Sequence, residues 1–114
     1  MSPKTNPLNL NPLQLRTLVL LQELARHPET ATPVPETGGM MLNQLPHPHG
    51  NHFHVGSKVV ATRDATGLFN QSVWAALERK GLARGRFPYA IIVTKEGLAY
   101  DASAAGHILH GGDH

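Results

Sequence analysis

Four histidines, His47, His49, His52 and His54, stand in the pattern H-x-H-x-x-H-x-H. Imidazole is the commonest metal-binding side chain, so zinc, nickel or copper is the ion to consider. His107, His110 and His114 could complete such a site if the tail folds back. A site of this kind would suit a metal-responsive regulator. Pro48 and Gly50 make the segment loop-like, and flexible histidine-rich tracts also bind metals adventitiously. Catalytic zinc keeps three protein ligands and usually an acidic base nearby, yet residues 37–63 hold no carboxylate. That argues against a hydrolase built on this loop. With no cysteine in the chain, disulfides, thiolate metal sites and cysteine nucleophiles are excluded. Nor is there a phosphate-binding loop, a nucleophile elbow or a pair of catalytic carboxylates. The expectation is a protein that is not an enzyme, with the histidine cluster as its one possible cofactor site.

A second set of residues suits a different chemistry. If residues 70–80 are helical, Val73, Ala76, Leu77 and the stem of Lys80 share one side, at 100° per residue. Gln71, Ser72, Ala75 and Arg79 share the other. Gln pairs both edges of adenine, Ser reaches a base or phosphate, and Ala75 allows close approach or contact with a thymine methyl. Arg79 can fork onto guanine or grip a phosphate. Glu78 flanks this side and opposes phosphate. Arg84 and Arg86 follow beside a turn containing Pro88, where basic side chains can lie along a nucleic-acid backbone or enter a narrow minor groove. Equally, arginines in a hairpin protect an exposed edge from aggregation. Trp74 and Tyr89 are expected to pack rather than to stack on bases.

Charge along the chain agrees with this division. The formal net charge is +2, but residues 58–95 carry Lys58, Arg63, Arg79, Lys80, Arg84, Arg86 and Lys95 against only Asp64 and Glu78. Residues 1–57 balance to zero, and the tail carries Glu96, Asp101 and Asp113. Cationic charge gathered in one segment is what a surface facing a polyanion needs, though a solvated basic face has the same composition. Lys58 belongs to this basic set as a candidate phosphate contact.

The elements that must position these groups follow from local signals. Asn11-Pro12 starts a helix, with Asn as cap and Pro at the first helical position. Leu13, Thr17, Leu20, Leu21 and Leu24 form its apolar stripe, and Pro28 ends it. Leu15 and Val19 make a second strip, to be covered by the chain itself or used for homodimerisation. Pro28, Pro33, Pro35, Gly38, Gly39, Pro46, Pro48 and Gly50 predict an irregular connection over 28–52, with a short helical turn near 40–45. Phe53-His54-Val55 reads as a strand and Ser57 as the cap of a helix to about Ala65. Asn70 caps the helix 71–80, closed by Gly81 at the C′ position. Leu82-Ala83-Arg84 and Tyr89–Val93 read as two strands around the turn Gly85-Arg86-Phe87-Pro88. Thr94 caps a last helix to about Ala105, with Leu98 and Ala102 inward. Residues 1–10 and 106–114 are expected to be loose, leaving one domain over 11–105. No apolar run approaches the roughly 20 residues of a membrane span. The start lacks a hydrophobic signal core, so a cytoplasmic protein is expected.

The order helix, short strand, helix, helix, hairpin, helix is that of a winged helix-turn-helix. Residues 59–102 resemble that superfamily. Gly67-Leu68-Phe69-Asn70-Gln71-Ser72-Val73 looks like its turn: a glycine where the chain reverses, an apolar plug, and a capped recognition helix. Ala76-Leu77-Glu78-Arg79-Lys80-Gly81-Leu82 resembles the end of a recognition helix entering the wing in MarR-like regulators. Val93-Thr94-Lys95-Glu96-Gly97-Leu98 resembles their exit from the wing. The long dimerisation helices of many MarR-like proteins are missing, so their dimer and ligand pocket are not implied. The resemblance implies an α+β fold with a three-helix core, a β-hairpin wing and a short C-terminal helix. It implies a sequence-specific double-stranded DNA-binding regulator with helix 70–80 in the major groove. The alternative is a winged-helix interaction module of a larger assembly, since fold does not fix function.

Overall fold

The computed structural model describes residues 6–111. The first helix, α1 (Pro12–Ala25), begins as its sequence requires. Asn11 Oδ1 accepts from the Gln14 backbone N–H at 2.8 Å, and Gln14 Oε1 accepts from the Asn11 N–H at 3.0 Å. This reciprocal cap satisfies two donors that a helix start leaves open. Leu18, Leu20, Leu21 and Leu24 are fully buried. Leu15 and Val19 are buried as well, so the second apolar strip, considered as a dimer surface, is covered by the chain itself.

Where an irregular connection is expected over 28–52, the structure has a hairpin. Strands β1 (Ala31–Val34) and β2 (Gly39–Leu42) pair antiparallel around a turn that Gly38 closes with φ of 79°. Pro33 fits because β1 is an edge strand, where a missing N–H costs little. The breakers mark the hairpin's turn and flanks rather than the absence of structure, and residues 40–42 are strand rather than helical turn. Strand β3 (His52–Val55) is where the sequence placed one.

The helix expected from Ser57 to about Ala65 is not formed. Gly56, at φ 61°, and Ser57 form a tight turn, and Lys58–Ala61 returns as strand β4 against β3. Val59 and Val60 follow their β-branched preference for a pleated surface. Two 3-10 turns, 62–64 and 66–69, lead to α2 (Gln71–Arg79). Gly67, assigned to a chain reversal, has no positive φ. Its role is steric: a β-carbon there would collide with Thr17 Oγ1 on α1.

Strands β5 (Ala83–Arg86) and β6 (Ala90–Val93) form the second hairpin, its turn two residues later than the sequence suggested. Thr94 caps α3 (Lys95–Ala99), which stops well short of Ala105. A 3-10 turn at 103–108 follows, and β7 (His110–Gly111) adds to β4. The tail expected to be loose thus carries a turn and a short strand up to Gly111; His114 lies outside the described residues. Residues 6–10, also expected to be loose, are tied down. Asn6 Nδ2 donates to the Leu10 carbonyl at 2.8 Å, and the Leu8 N–H donates to the Tyr100 hydroxyl at 3.0 Å.

The result is an α+β fold with two antiparallel sheets, ordered β1-β2-β6-β5 and β3-β4-β7. Helix α1 packs against α2, α3, the 3-10 turns and strands of both sheets. Val55, Val60, Leu68, Leu77, Leu82, Ile91, Val93 and Ile108 close the core around it.

Candidate nucleic-acid interface

Helix α2 is held at both ends by local chemistry. Asn70 Oδ1 accepts from the Val73 N–H at 3.2 Å. At the other end Gly81 adopts φ 77°, its N–H donates to the Glu78 carbonyl, and the Leu82 N–H donates to the Leu77 carbonyl, both at 3.0 Å. This paired closure satisfies carbonyls that would otherwise end unpaired, and it turns the chain directly into β5. Thr94 Oγ1 donates to the Gly81 carbonyl at 2.6 Å and accepts from the Gly97 N–H at 2.9 Å. The same hydroxyl thus joins the end of α2 to the start of α3. Gly97 has no room for a side chain, since a β-carbon would meet the Leu82 carbonyl and Val93.

Burial divides α2 cleanly. Val73, Trp74, Ala76 and Leu77 are buried, while Gln71, Ser72, Ala75, Glu78 and Arg79 are exposed. Trp74 packs edge-on against Phe87, ring centres 4.8 Å apart, and donates from Nε1 to the Leu68 carbonyl at 3.0 Å. It locks helix to hairpin, the packing role its sequence context suggested. Lys80 is half-buried, with Nζ donating to the Leu8 carbonyl at 2.8 Å.

On the hairpin, Arg84 stands opposite Ile92 and Arg86 opposite Ala90, so both arginines project from one face. Both are exposed. Arg84 lines a groove of about 740 Å³ between the end of α2, the hairpin and the start of α3. Its charged lining is balanced: Arg84 and Lys95 face Glu78 and Glu96. Positive charge therefore has carboxylate company at Arg84. Arg86, nearer the hairpin turn, does not line that groove. Lys58, grouped with these cations by charge alone, lies elsewhere: it lines a separate groove with Glu23, Arg26 and Asp101. That removes it from the α2–hairpin surface.

Tyr89 departs from expectation. It is 84% exposed at the hairpin turn, and Phe69, just ahead of α2, is 47% exposed. Both border a groove of about 300 Å³ whose floor includes Leu42, Leu45, Trp74 and Ile91. Composition could not reveal this, because Tyr89 and Trp74 carry the same aromatic signal and only the packing of the turn separates them. Lys95, counted in the basic segment but not expected as a contact, lines the first groove with Arg84.

The histidines fall into two groups. His47 lines the groove beside Phe69 and Trp74. His49, His52 and His54 gather on the other sheet, with ring centres 5.0 Å apart for His49–His54 and His52–His54, and 6.0 Å for His49–His52. Among the described residues no group of three or more His, Cys, Asp or Glu side chains could hold a metal ion.

Comparison with protein-family models, curated proteins and solved structures yielded no match. Among the described residues no helix is long and apolar enough to cross a membrane.

Proposed function

We propose that the chain is a cytoplasmic winged-helix protein that binds double-stranded DNA as a sequence-specific regulator. Helix α2 enters the major groove and the β5–β6 hairpin lies along the backbone. The observation that carries this reading is the division of α2: Gln71, Ser72, Ala75 and Arg79 exposed, with Val73, Trp74, Ala76 and Leu77 turned into the core. An α-helix with its side chains is about 10–12 Å across, which fits the ~12 Å width of a major groove. Gln71 and Ser72 occupy the first turn, where recognition helices make base contacts. Arg79 and Arg86 supply phosphate or guanine contacts. Arg84, facing Glu78 across a shared groove, contributes less than Arg86.

Fluorescence anisotropy on duplex DNA tests this. Affinity should fall steeply between roughly 50 and 200 mM salt. Arg79→Ala should reduce discrimination between preferred and random sequence. Arg86→Ala should weaken binding to all sequences and reduce the salt slope by about one. Unchanged duplex affinity in both variants would overturn the reading.

One observation favours a second reading, a winged-helix interaction module in a larger assembly. Exposed Phe69 and Tyr89 border an apolar groove that could seat a partner's side chain. Aromatic residues of this kind concentrate energy at protein interfaces. Binding through that groove would be nearly insensitive to salt and abolished by Tyr89→Ala, with Arg79→Ala silent.

A further inference from the structure

The turn of the second hairpin holds two aromatic residues with opposite fates. Phe87 packs edge-on against Trp74, ring centres 4.8 Å apart. Tyr89 is 84% exposed, although its N–H closes the turn onto the Arg86 carbonyl at 2.7 Å. Its backbone is fixed while its ring stays in water, an unfavourable place for so large an apolar surface. Phe69 is a second case. Its ring lies 27° from parallel to Phe53, centres 6.3 Å apart, and is still 47% exposed. Both exposed rings border one groove, which Trp74 also lines. Apolar rings gathered around a single cleft mark a binding site, which scattered exposure does not.

We propose that this groove binds an unpaired base of single-stranded DNA, with Tyr89 and Phe69 as its aromatic walls. Three observations favour a base over a partner's apolar side chain. Among the described residues no carboxylate lines the groove, so nothing in it repels a phosphate. Its rim is polar: Asn43, Gln44 and His47 line it and are exposed. Asn43 Oδ1 accepts from Thr32 Oγ1 at 2.8 Å, which leaves the Asn43 amide N–H groups to donate. Such donors match the carbonyl and ring-nitrogen edge of a base, whereas an aliphatic side chain offers them no acceptor. Finally, Arg86 stands opposite Ala90 in the hairpin register, and Ala90 lines the groove. That pairing sets a cation beside the site, as a single strand's backbone requires.

A volume of about 300 Å³ lies at the lower end of small-ligand clefts, room for one flat ring system and not for a helix. Aromatic faces beside a cation hold single strands with little preference for base identity, because every base has a π-face. A duplex keeps those faces stacked and covered, so this site and α2 recognise different forms of DNA. Phe69 directly precedes the Asn70 cap of α2. The groove therefore adjoins the proposed duplex surface without including Gln71, Ser72 or Arg79.

Titration of the full chain with a short oligothymidylate tests the site, read by Trp74 emission and by anisotropy of a labelled strand. Trp74 is the chain's single tryptophan and lines the groove, so a base seated there should quench it. An abasic oligomer of equal length and charge should bind more weakly and leave the emission unchanged. Tyr89→Ala and Phe69→Ala should each weaken oligothymidylate binding at least about fivefold. Tyr89→Phe, which keeps the ring, should restore wild-type affinity, and Arg79→Ala should have no effect on the oligomer. Tyr89 is almost fully in solvent, so its replacement leaves the fold intact even if Phe69→Ala perturbs the packing on Phe53. Wild-type affinity in Tyr89→Ala overturns the proposal, as does equal binding of the abasic oligomer. A chain that ignores the oligothymidylate also overturns it and leaves the groove to a partner's side chain. Arg79→Ala on duplex tests the duplex reading and Tyr89→Ala on the single strand tests this one, so either can fail alone.

Discussion

Glu78 is the residue whose charge works against the cations around it. It is exposed on α2 and lines the groove that holds Arg84 and Lys95. If phosphates approach this side, the carboxylate repels them and partly neutralises Arg84. Glu78→Gln should therefore strengthen duplex binding by roughly two- to fivefold, the scale of one solvent-screened charge interaction. Anisotropy at low salt measures it, and the gain should shrink as salt rises. Weaker binding in the variant would mean that Glu78 orders Arg84 rather than opposing the ligand. Asp101 shows a different residue-scale effect. The Ser103 hydroxyl, 2.6 Å away, and then the Ser103 backbone N–H at 3.0 Å hold its carboxyl below the usual carboxylate range. A depressed folded value stabilises the fold above the unfolded value of about 3.9 and is lost as pH falls through the lower one. The melting temperature of Asp101→Asn should thus differ from wild type at pH 6 and approach it in strong acid.

Elements here depend on a few atoms at their ends. Thr94 is the clearest case, because one hydroxyl caps α3 and holds the Gly81 carbonyl just past the end of α2. Thr94→Val preserves shape and removes both hydrogen bonds. The expected loss is about 1–3 kcal/mol by denaturant titration, with faster amide exchange at Gly97. Gly67 controls how the 66–69 turn seats on α1. Gly67→Ala forces a methyl group against Thr17, and overpacking of this sort costs about 1–3 kcal/mol. Thr17→Ala in the same chain should recover part of the loss. If Gly67→Ala alone is neutral, the turn has slack and close packing is not the reason for glycine.

At the scale of the molecule, α1 serves both sheets, since α2, the 3-10 turns and strands of each sheet pack on it. Removing part of α1 should therefore weaken everything at once. Leu18→Ala, at a fully buried site, should cost about 2–5 kcal/mol. Trp74 fluorescence, which reports on α2 and the hairpin, should then lose its native signal at the same denaturant concentration as the far-ultraviolet dichroism. Separate transitions would mean that the β3-β4-β7 sheet folds on its own.

Local signals in the sequence were sufficient for the caps and for one face of each long element. Asn11, Asn70, Gly81 and Thr94 act where their side chains or their tolerance of positive φ require, because capping involves only neighbouring backbone groups. The exposed set on α2 was legible for the same reason: helical periodicity alone sorts Gln71, Ser72, Ala75 and Arg79 from their buried neighbours. Pairing between distant segments was not legible. The β1–β2 hairpin inside a proline- and glycine-rich stretch exists because β2 finds β6 some fifty residues away, and β7 forms because β4 offers it an edge. Strand partners satisfy backbone groups through contacts that no local window contains. Two local turns read wrongly from composition had consequences as well: the β3–β4 hairpin carries Lys58 into a separate groove, and the turn between β5 and β6 leaves Tyr89 exposed.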